Sequence, residues 1–321
     1  MIATAHGKPL GRIAAIINRS HNDYHKDRVG FFGFFDSVDD PQVAKALFEK
    51  AAEILRAHGM TSLRGPYNPS INDDCGLLTE GFDTPAFISM PWNPPYYREL
   101  YAAAGLASVR ILYAWMIPLQ AATPARVNKI VDRLARRSRV TIRSIRMNDL
   151  EHEMKILHRL YNVTLNRNWG FYPISLEDLR HAAKDLKAIA DPNLILFACL
   201  DDQEVAFSLS LPNVNELFHA ARPRRGLLRF LEIALRIQIQ RPKSARLCVL
   251  GVDPEHQNKG LSALLFYEAY VRTKARYERS EVSWVEANNV EILEGAQLMG
   301  GYQDKTYEIF EKTIGEICSP T

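Results

Sequence analysis

Residues 246–270 read RLCVLGVDPEHQNKGLSALLFYEAY. An apolar run rich in Val and Leu meets a polar turn centred on Gly260, and a second apolar run continues from Leu261. The pattern predicts a strand, a tight turn and a helix. A helix beginning at such a turn presents backbone N–H groups without intrahelical acceptors, together with the positive end of its dipole. Gly260 lets the backbone approach an anion closely and Lys259 adds a positive charge, so the turn can cradle a phosphate. A glycine at a strand–helix turn is common, and taken alone the signal is weak.

The surrounding chain supplies context. Its 321 residues are comfortable for two domains. A hydrophobic share of 47% and a charged share of 24% describe a soluble globular protein. The net charge of +3 gives no reason to expect a nucleic-acid partner. Cys75, Cys199, Cys248 and Cys318 form no CxxC pair, which favours reduced thiols over disulfides or zinc. The N-terminal MIATAHGKPLGRIAAII lacks the long apolar core of a secretory signal, and no run is long enough to span a membrane. The expected location is the cytoplasm, with room for peripheral contact at the inner membrane face.

Two regions follow a similar order of elements. In the first, GRIAAIINR and VGFFGFF read as strands, and DDPQVAKALFEKAAEILRAHG reads as an amphipathic helix closed by Gly59. A loop dense in Gly, Pro, Asn and Asp follows, then a short helix (PPYYRELYAAAG) and a strand (ASVRILYAWMIPL). TPARVNKIVDRLARRSR predicts a basic connecting helix with Thr123 as cap and Pro124 in the first turn. The second region has strand VTIRSIR and a helix starting at Asp149. A second helix follows, then a hairpin turning at Asp201–Asp202. The opening strand–turn–helix comes next, then strand EVSWVEANN, a short helix and the strand YQDKTYEIFEK. The expected division is a module at 1–122, a connecting helix at 123–139 and a second module at 140–321.

QNKGLS resembles the Q/R-x-x-G-x-G/A signature of the GCN5-related N-acetyltransferases, with Gln257 and Gly260 matching and Ser262 in place of the usual Gly or Ala. VLGVDPEHQNKG and EANNVEILEGAQLMGG resemble that family's strand ending and its Asn-led loop. GRIAAIINRSHNDYH, GFFGFFDSVDDP, RGPYNPSINDDCGLLTEGFDTP, MPWNPPYY, LYNVTLNRNWGFYPIS and SWVEANN together resemble the bacterial ceramide synthase-like group, over nearly the whole chain. The resemblance implies an α/β (α+β) fold of two tandem acyl-CoA N-acyltransferase modules, each a mixed central sheet flanked by helices. It implies acyl-CoA or acetyl-CoA as co-substrate with no permanently bound cofactor, and an amine acceptor, for the group's characterised type a sphingoid base. The chain departs from the group in one way: its first module is expected to begin without the opening strand and helices.

The same resemblance assigns residues. Coenzyme A is expected along Leu250, Gly251 and Val252 and at Gln257, Asn258, Lys259, Gly260, Leu261 and Ser262, with Asn289 able to orient its arm. Asp36, Asp39 and Asp40 stand where the first module would need a phosphate turn, and they repel a pyrophosphate. Acyl transfer to an amine needs a base, because an alkylammonium with a pKa near ~10 is no nucleophile. Glu286, at the end of SWVE, is the candidate base; an ordinary strand-end carboxylate is the alternative. Asn288 is a candidate for orienting the cofactor arm or a water, against ordinary turn chemistry. The family's tyrosine acid is missing from EILEGAQLM, and Tyr302 and Tyr307 are the nearest substitutes, with strand packing as the alternative for each.

Three further stretches carry alternatives. His21 and His25 are four apart, but RSHNDYHKDR is expected to be a hairpin loop without a third ligand, so no metal site is expected. NPSINDDCG offers amides and carboxylates to a polar head group, or simply holds a turn through side-chain-to-backbone bonds. Residues 222–246, with many arginines around a wide apolar face, fit a membrane surface or lipid-lined groove, or a helix buried between modules. A short-chain acetyltransferase and a non-catalytic acyl-CoA-binding scaffold are the rival functions.

Overall fold

The computed structural model describes residues 1–137, 139–220, 242–257 and 259–315. The chain forms two compact units: Met1–Tyr113 with Gly170–Tyr172 and the chain from Lys305 onward, and Ala114–Trp169 with Pro173–Asp304. The first break falls inside a strand, ahead of the expected connecting helix, and the last strand returns to the first unit. Sequence order alone does not show such a return, because a strand's apolar run does not name its neighbours.

In the first unit, β1 (Ile2–Ala5) and β2 (Lys8–Ile16) form a hairpin that runs into α1 (Arg19–His25) and β3 (Val29–Ser37). Helix α2 (Pro41–Ala57) follows, then β4 (Ser62–Gly65) and the short pair β5 (Tyr67–Asn68) and β6 (Asp74–Cys75). The unit continues with β7 (Leu77–Glu80), α3 (Tyr97–Ala103) and the start of β8 (Ala107–Pro118). β2 and β3 pair antiparallel, β3 and β4 parallel. The final strand β14 (Tyr302–Thr313) lies antiparallel to both β4 and β7. Ala44, Leu47, Phe48, Ala51 and Leu55 recur at helical spacing and are all buried. Phe48 packs with Phe32, Phe35 and Tyr101 in an aromatic core.

The expected loop at RSHNDYHKDR is helix α1. The Asn18 side chain caps it by accepting the His21 N–H at 3.0 Å, and Lys26 closes it in the left-handed region. Its polar composition hides it from a hydrophobic pattern. A local cap, not an apolar stripe, defines its start.

The second unit carries α4 (Ala125–Arg137), β9 (Val140–Ser144), α5 (Leu150–Thr164) and α6 (Leu176–Leu186). Then come β10 (Ile195–Leu200), β11 (Gln203–Pro212), α7 (Asn215–Ala220) and β12 (Ser244–Val252). Helix α8 (Leu261–Lys274), β13 (Arg279–Glu286) and α9 (Val290–Leu298) complete it. The sheet order β9-β10-β11-β12-β13 is antiparallel except for the parallel β12–β13 pair. One face packs on α8 through Ala245, Leu247, Leu265 and Phe266, the other on α5 through Leu157, Leu160 and Phe207. Asp149, at the start of α5, makes no side-chain cap bond, and the Thr123 hydroxyl lies 3.3 Å from Tyr270 Oη.

Of the basic segment 222–246, residues up to 241 lie outside the described residues. Ser244, Ala245 and Arg246 belong to β12, and Arg246 is buried beneath the Trp284 ring, not set at a basic surface. Among the described residues no helix is long and apolar enough to cross a membrane.

Candidate active site

The site begins where two parallel strands part. β12 and β13 pair from Ser244↔Arg279 to Leu247↔Val282 and then stop, although both strands continue. At that point β12 carries an extra residue: Leu209 faces Val249 while Ser210 faces Leu247, leaving Cys248 as a bulge. A bulge bends its strand and increases the local twist, which turns β12 away from β13 and opens a fork.

Register identifies the groups facing that fork. The Asp253 N–H bonds to the Val205 carbonyl on β11 at 2.8 Å. Alternation along an antiparallel pair then directs the N–H groups of Gly251 and Val249 to β11, and those of Leu250 and Val252 to the side β13 has left. Two aligned donors on a rigid strand are suited to a carbonyl or oxyanion. Gly251 has another role: a Cβ there would lie 2.0 Å from Thr164 Oγ1, so its bareness serves the packing of α5 on β12. Burial pushes the Cys248 thiol up, which keeps it protonated and a poor nucleophile.

The turn after β12 is held by its own side chains. Asp253 caps a short 3-10 turn by accepting the Glu255 N–H at 3.0 Å, and Gln257 Nε2 reaches the Val252 carbonyl at 3.5 Å. Lys259 is exposed, with Nζ 3.3 Å from His256 Nδ1. Asn258 lies outside the described residues. Gly260 caps α8 at φ 75°, in the left-handed region, and offers no side chain to the helix N–H groups. Leu261 is buried in the core against β12, and Ser262 is half-buried in the first turn. Leu134 of α4 leans on Gly260: a Cβ would meet its Cδ2 at 2.7 Å.

At the other prong, Glu286 ends β13 half-buried, and its Oε1 accepts the Trp169 N–H at 3.2 Å. One carboxylate oxygen is thereby fixed, which orients the second. Asn289 spends its side-chain oxygen capping α9 on the Ile292 N–H at 3.4 Å. Asn288 is exposed in the turn before it. Tyr302 is 54% exposed at the start of β14, whereas Tyr307 is fully buried in the first unit. Sequence reading missed a buried group where the fork closes. Arg246 Nε donates to Ser283 Oγ at 2.8 Å, and Ser283 Oγ donates to Glu281 Oε1 at 2.6 Å. Ser283 and Glu281 alternate with Val282 and Trp284 in the sequence, the sign available there that one face of β13 is polar.

No protein-family model matches the chain. The chain is 31% identical over 98% of its length to the bacterial ceramide synthase of Caulobacter vibrioides, covering 83% of that protein. It is also 31% identical to protein YghO of Escherichia coli, over 98% of this chain and 81% of that one. The chain belongs to the bacterial ceramide synthase-like group of GCN5-related N-acetyltransferases. Solved structures agree on the fold. A GCN5-related N-acetyltransferase from Sphaerobacter thermophilus matches 96% of this chain and 78% of its own, with TM-score 0.54 and 12% identity. A tandem GNAT protein from the clavulanic acid biosynthesis pathway matches 100% of this chain and 82% of its own, also with TM-score 0.54, at 11% identity. The chain carries the expected mixed sheet flanked by helices.

Proposed function

We propose that the protein is an acyl-CoA-dependent N-acyltransferase whose second unit binds the thioester in the β12–β13 fork. The fork itself carries this reading: two parallel strands that separate at a bulge, beside a helix start with no capping side chain. The coenzyme A pyrophosphate sits at Gln257–Ser262, on the N–H groups of the first α8 turn with Lys259 at the mouth. The pantetheine arm runs along Leu250–Val252, and the amides of Leu250 and Val252 receive the thioester carbonyl.

Glu286 acts as the base. It takes a proton from the acceptor ammonium, and the freed amine nitrogen attacks the carbonyl carbon. The tetrahedral oxyanion rests on the two amides until the C–S bond breaks. The nitrogen sheds its second proton as the coenzyme A thiolate gains one, so an amide, a thiol and one released proton result. Tyr302 is the proposed proton donor to the thiolate, and Asn288 the group that orients the arm or a water. The acceptor is a long-chain, sphingoid-type amine, by extension from the name of the Caulobacter relative. Lipid contact through residues 222–246 belongs to this reading. A short-chain acetyltransferase would use the same fork without that segment.

Binding decides first. Saturating acyl-CoA is expected to raise the melting temperature, and palmitoyl-CoA to bind more tightly than acetyl-CoA. No shift with either thioester overturns the reading. Equal affinities overturn the long-chain donor. Binding without thiol release across a panel of amines, including 2-aminooctadecane-1,3-diol, makes the protein a scaffold.

A further inference from the structure

Helix α4 runs antiparallel to α8 within the second unit. Thr123, just ahead of α4, lies 3.3 Å from Tyr270 Oη, and the Tyr267 hydroxyl donates to Asn128 Oδ1 at 2.7 Å. Leu134 then reaches Gly260, where a Cβ would meet its Cδ2 at 2.7 Å. Residue numbers rise along one helix as they fall along the other, so the later turns of α4 arrive beside the first turn of α8. Val127 anchors the pair, buried with Phe266 and Tyr270.

A different face of α4 is left to solvent. Lys129, Ile130 and Arg133 are neighbours on the helix surface through their i,i+3 and i,i+4 spacing, and all three are exposed, Ile130 at 41%. Arg133 precedes Leu134 directly and Ile130 precedes it by one turn, so this patch adjoins the turn at Gly260. Among the described residues neither Lys129 nor Arg133 forms an ion pair, and Asp132, the one carboxylate on α4, engages neither. Their charge does not serve the fold. The end of α4 favours a cation, but that effect fades within the last turn, and both residues stand before it. The start of α8 disfavours cations, and its first turn holds no acidic residue to offset them. Lys259 adds a further exposed positive charge there. The excess calls for an anion.

Coenzyme A supplies one of the right kind. Its ribose carries a 3′-phosphate and adenine beside the pyrophosphate, and a phosphate monoester holds about −1.5 to −2 charges near pH 7. With the pyrophosphate at the first α8 turn and the pantetheine arm in the fork, the nucleotide lies outside, next to α4. We propose that this face of α4 binds the nucleotide end of the thioester donor, with Arg133 and Lys129 on the 3′-phosphate and Ile130 against the adenine. A guanidinium grips such a phosphate with paired N–H donors. The inference rests on the thioester reading and deepens it: the donor this chain selects carries a phosphorylated nucleotide, and a helix ahead of the first strand of the second unit reads it.

The test is calorimetric titration of the full chain with coenzyme A and with 3′-dephospho-coenzyme A. Coenzyme A is expected to bind at least about tenfold more tightly, since only it has the phosphate monoester. Arg133→Gln should weaken coenzyme A about tenfold and leave 3′-dephospho-coenzyme A unchanged, which also shows that the variant is folded. Ile130→Ser should weaken both about threefold, because both carry adenine. Arg126→Gln, two turns back along α4, should alter neither, which separates contact from the general charge of the helix. If neither ligand binds the parent chain, the thioester reading fails and this inference with it. If both bind equally, if Arg133→Gln keeps the parent's preference, or if Arg126→Gln loses as much, the thioester reading stands and the α4 site is overturned. An Ile130→Ser variant that binds both normally overturns the adenine contact.

Discussion

The two units build the same fork and treat it differently. In the first, β3 and β4 pair in parallel from Val29↔Ser62 to Phe31↔Arg64 and then part, and β3 carries a bulge where Ile13 faces both Phe34 and Phe35. In the second, β12 and β13 do the same around Cys248. The donors of the first fork are already spent. The Phe34 N–H gives its hydrogen to Asn68 Oδ1 at 2.6 Å, and the Ser37 N–H gives its own to Tyr97 Oη at 3.0 Å. The Tyr67 peptide presses so closely that a Cβ on Gly33 would lie 1.7 Å from its carbonyl oxygen. The helix after the first fork is capped by Asp40, which accepts the Gln42 N–H at 2.8 Å, and Pro41 removes a further donor. The helix after the second begins at a bare Gly260. A shared backbone device thus has its donors met by side chains of other elements in the first unit, whereas the second fork leads into a helix start without a side-chain cap.

The largest test removes Glu286, the proposed base at the rim of the second fork. Glu286→Gln is expected to cut thiol release by about 10²–10³-fold with acyl-CoA affinity intact. A near-normal rate would mean that the base lies elsewhere. Next is Gly33→Ala. The obstructing atom is backbone and cannot swing away, so a loss of about 3 kcal/mol or failure to fold is expected by chemical denaturation. A fully stable variant would mean that the first fork is not tightly filled.

The pH dependence is somewhat smaller. His21 has a folded pKa of about 4 against the usual 6.5, so the unfolded chain takes up a proton first as pH falls. Stability should be level above about pH 6.5 and decline toward pH 4, by roughly 2 kcal/mol, with His25, Asp27 and Arg64 as the facing charges. His21→Phe should flatten that slope; an unchanged slope would place the effect in other groups. Lys259→Glu should weaken coenzyme A about tenfold, while Lys45→Glu on the helix after the first fork should leave it unchanged. Matching losses in both would erase the distinction between the forks. The smallest effect is Asn68→Ala, which leaves the Phe34 N–H without its acceptor and should cost about 1 kcal/mol.

Much of this was legible in the sequence, for physical reasons. The alternation in GRIAAIINR and the spacing of Ala44, Leu47, Phe48 and Ala51 follow directly from what each face must bury. Asp201–Asp202 turns its hairpin because both residues accept positive φ, at 48° and 64°. Gly260 reads as a turn glycine from its place between strand and helix, and its φ of 75° lies in the left-handed region that glycine accepts. Other features depend on partners distant in the chain. Asn68 reads as turn chemistry until β3 is seen beside it, and Glu286 as a strand end until Trp169 is found bonded to it. Gly251 reads as part of the cofactor strand until Thr164 fills the space beside it.

One pairing described above also governs the order of assembly. Among the described residues, Ser62–Gly65 finds its antiparallel neighbour only in Phe310–Thr313. On a ribosome those partners emerge far apart in time, and loop closure over so long a stretch is slow. The first unit therefore has to wait with an open sheet edge while the whole second unit is made. An unpaired edge of that kind invites the wrong partner, which makes this half of the chain the one with most need of a chaperone during synthesis.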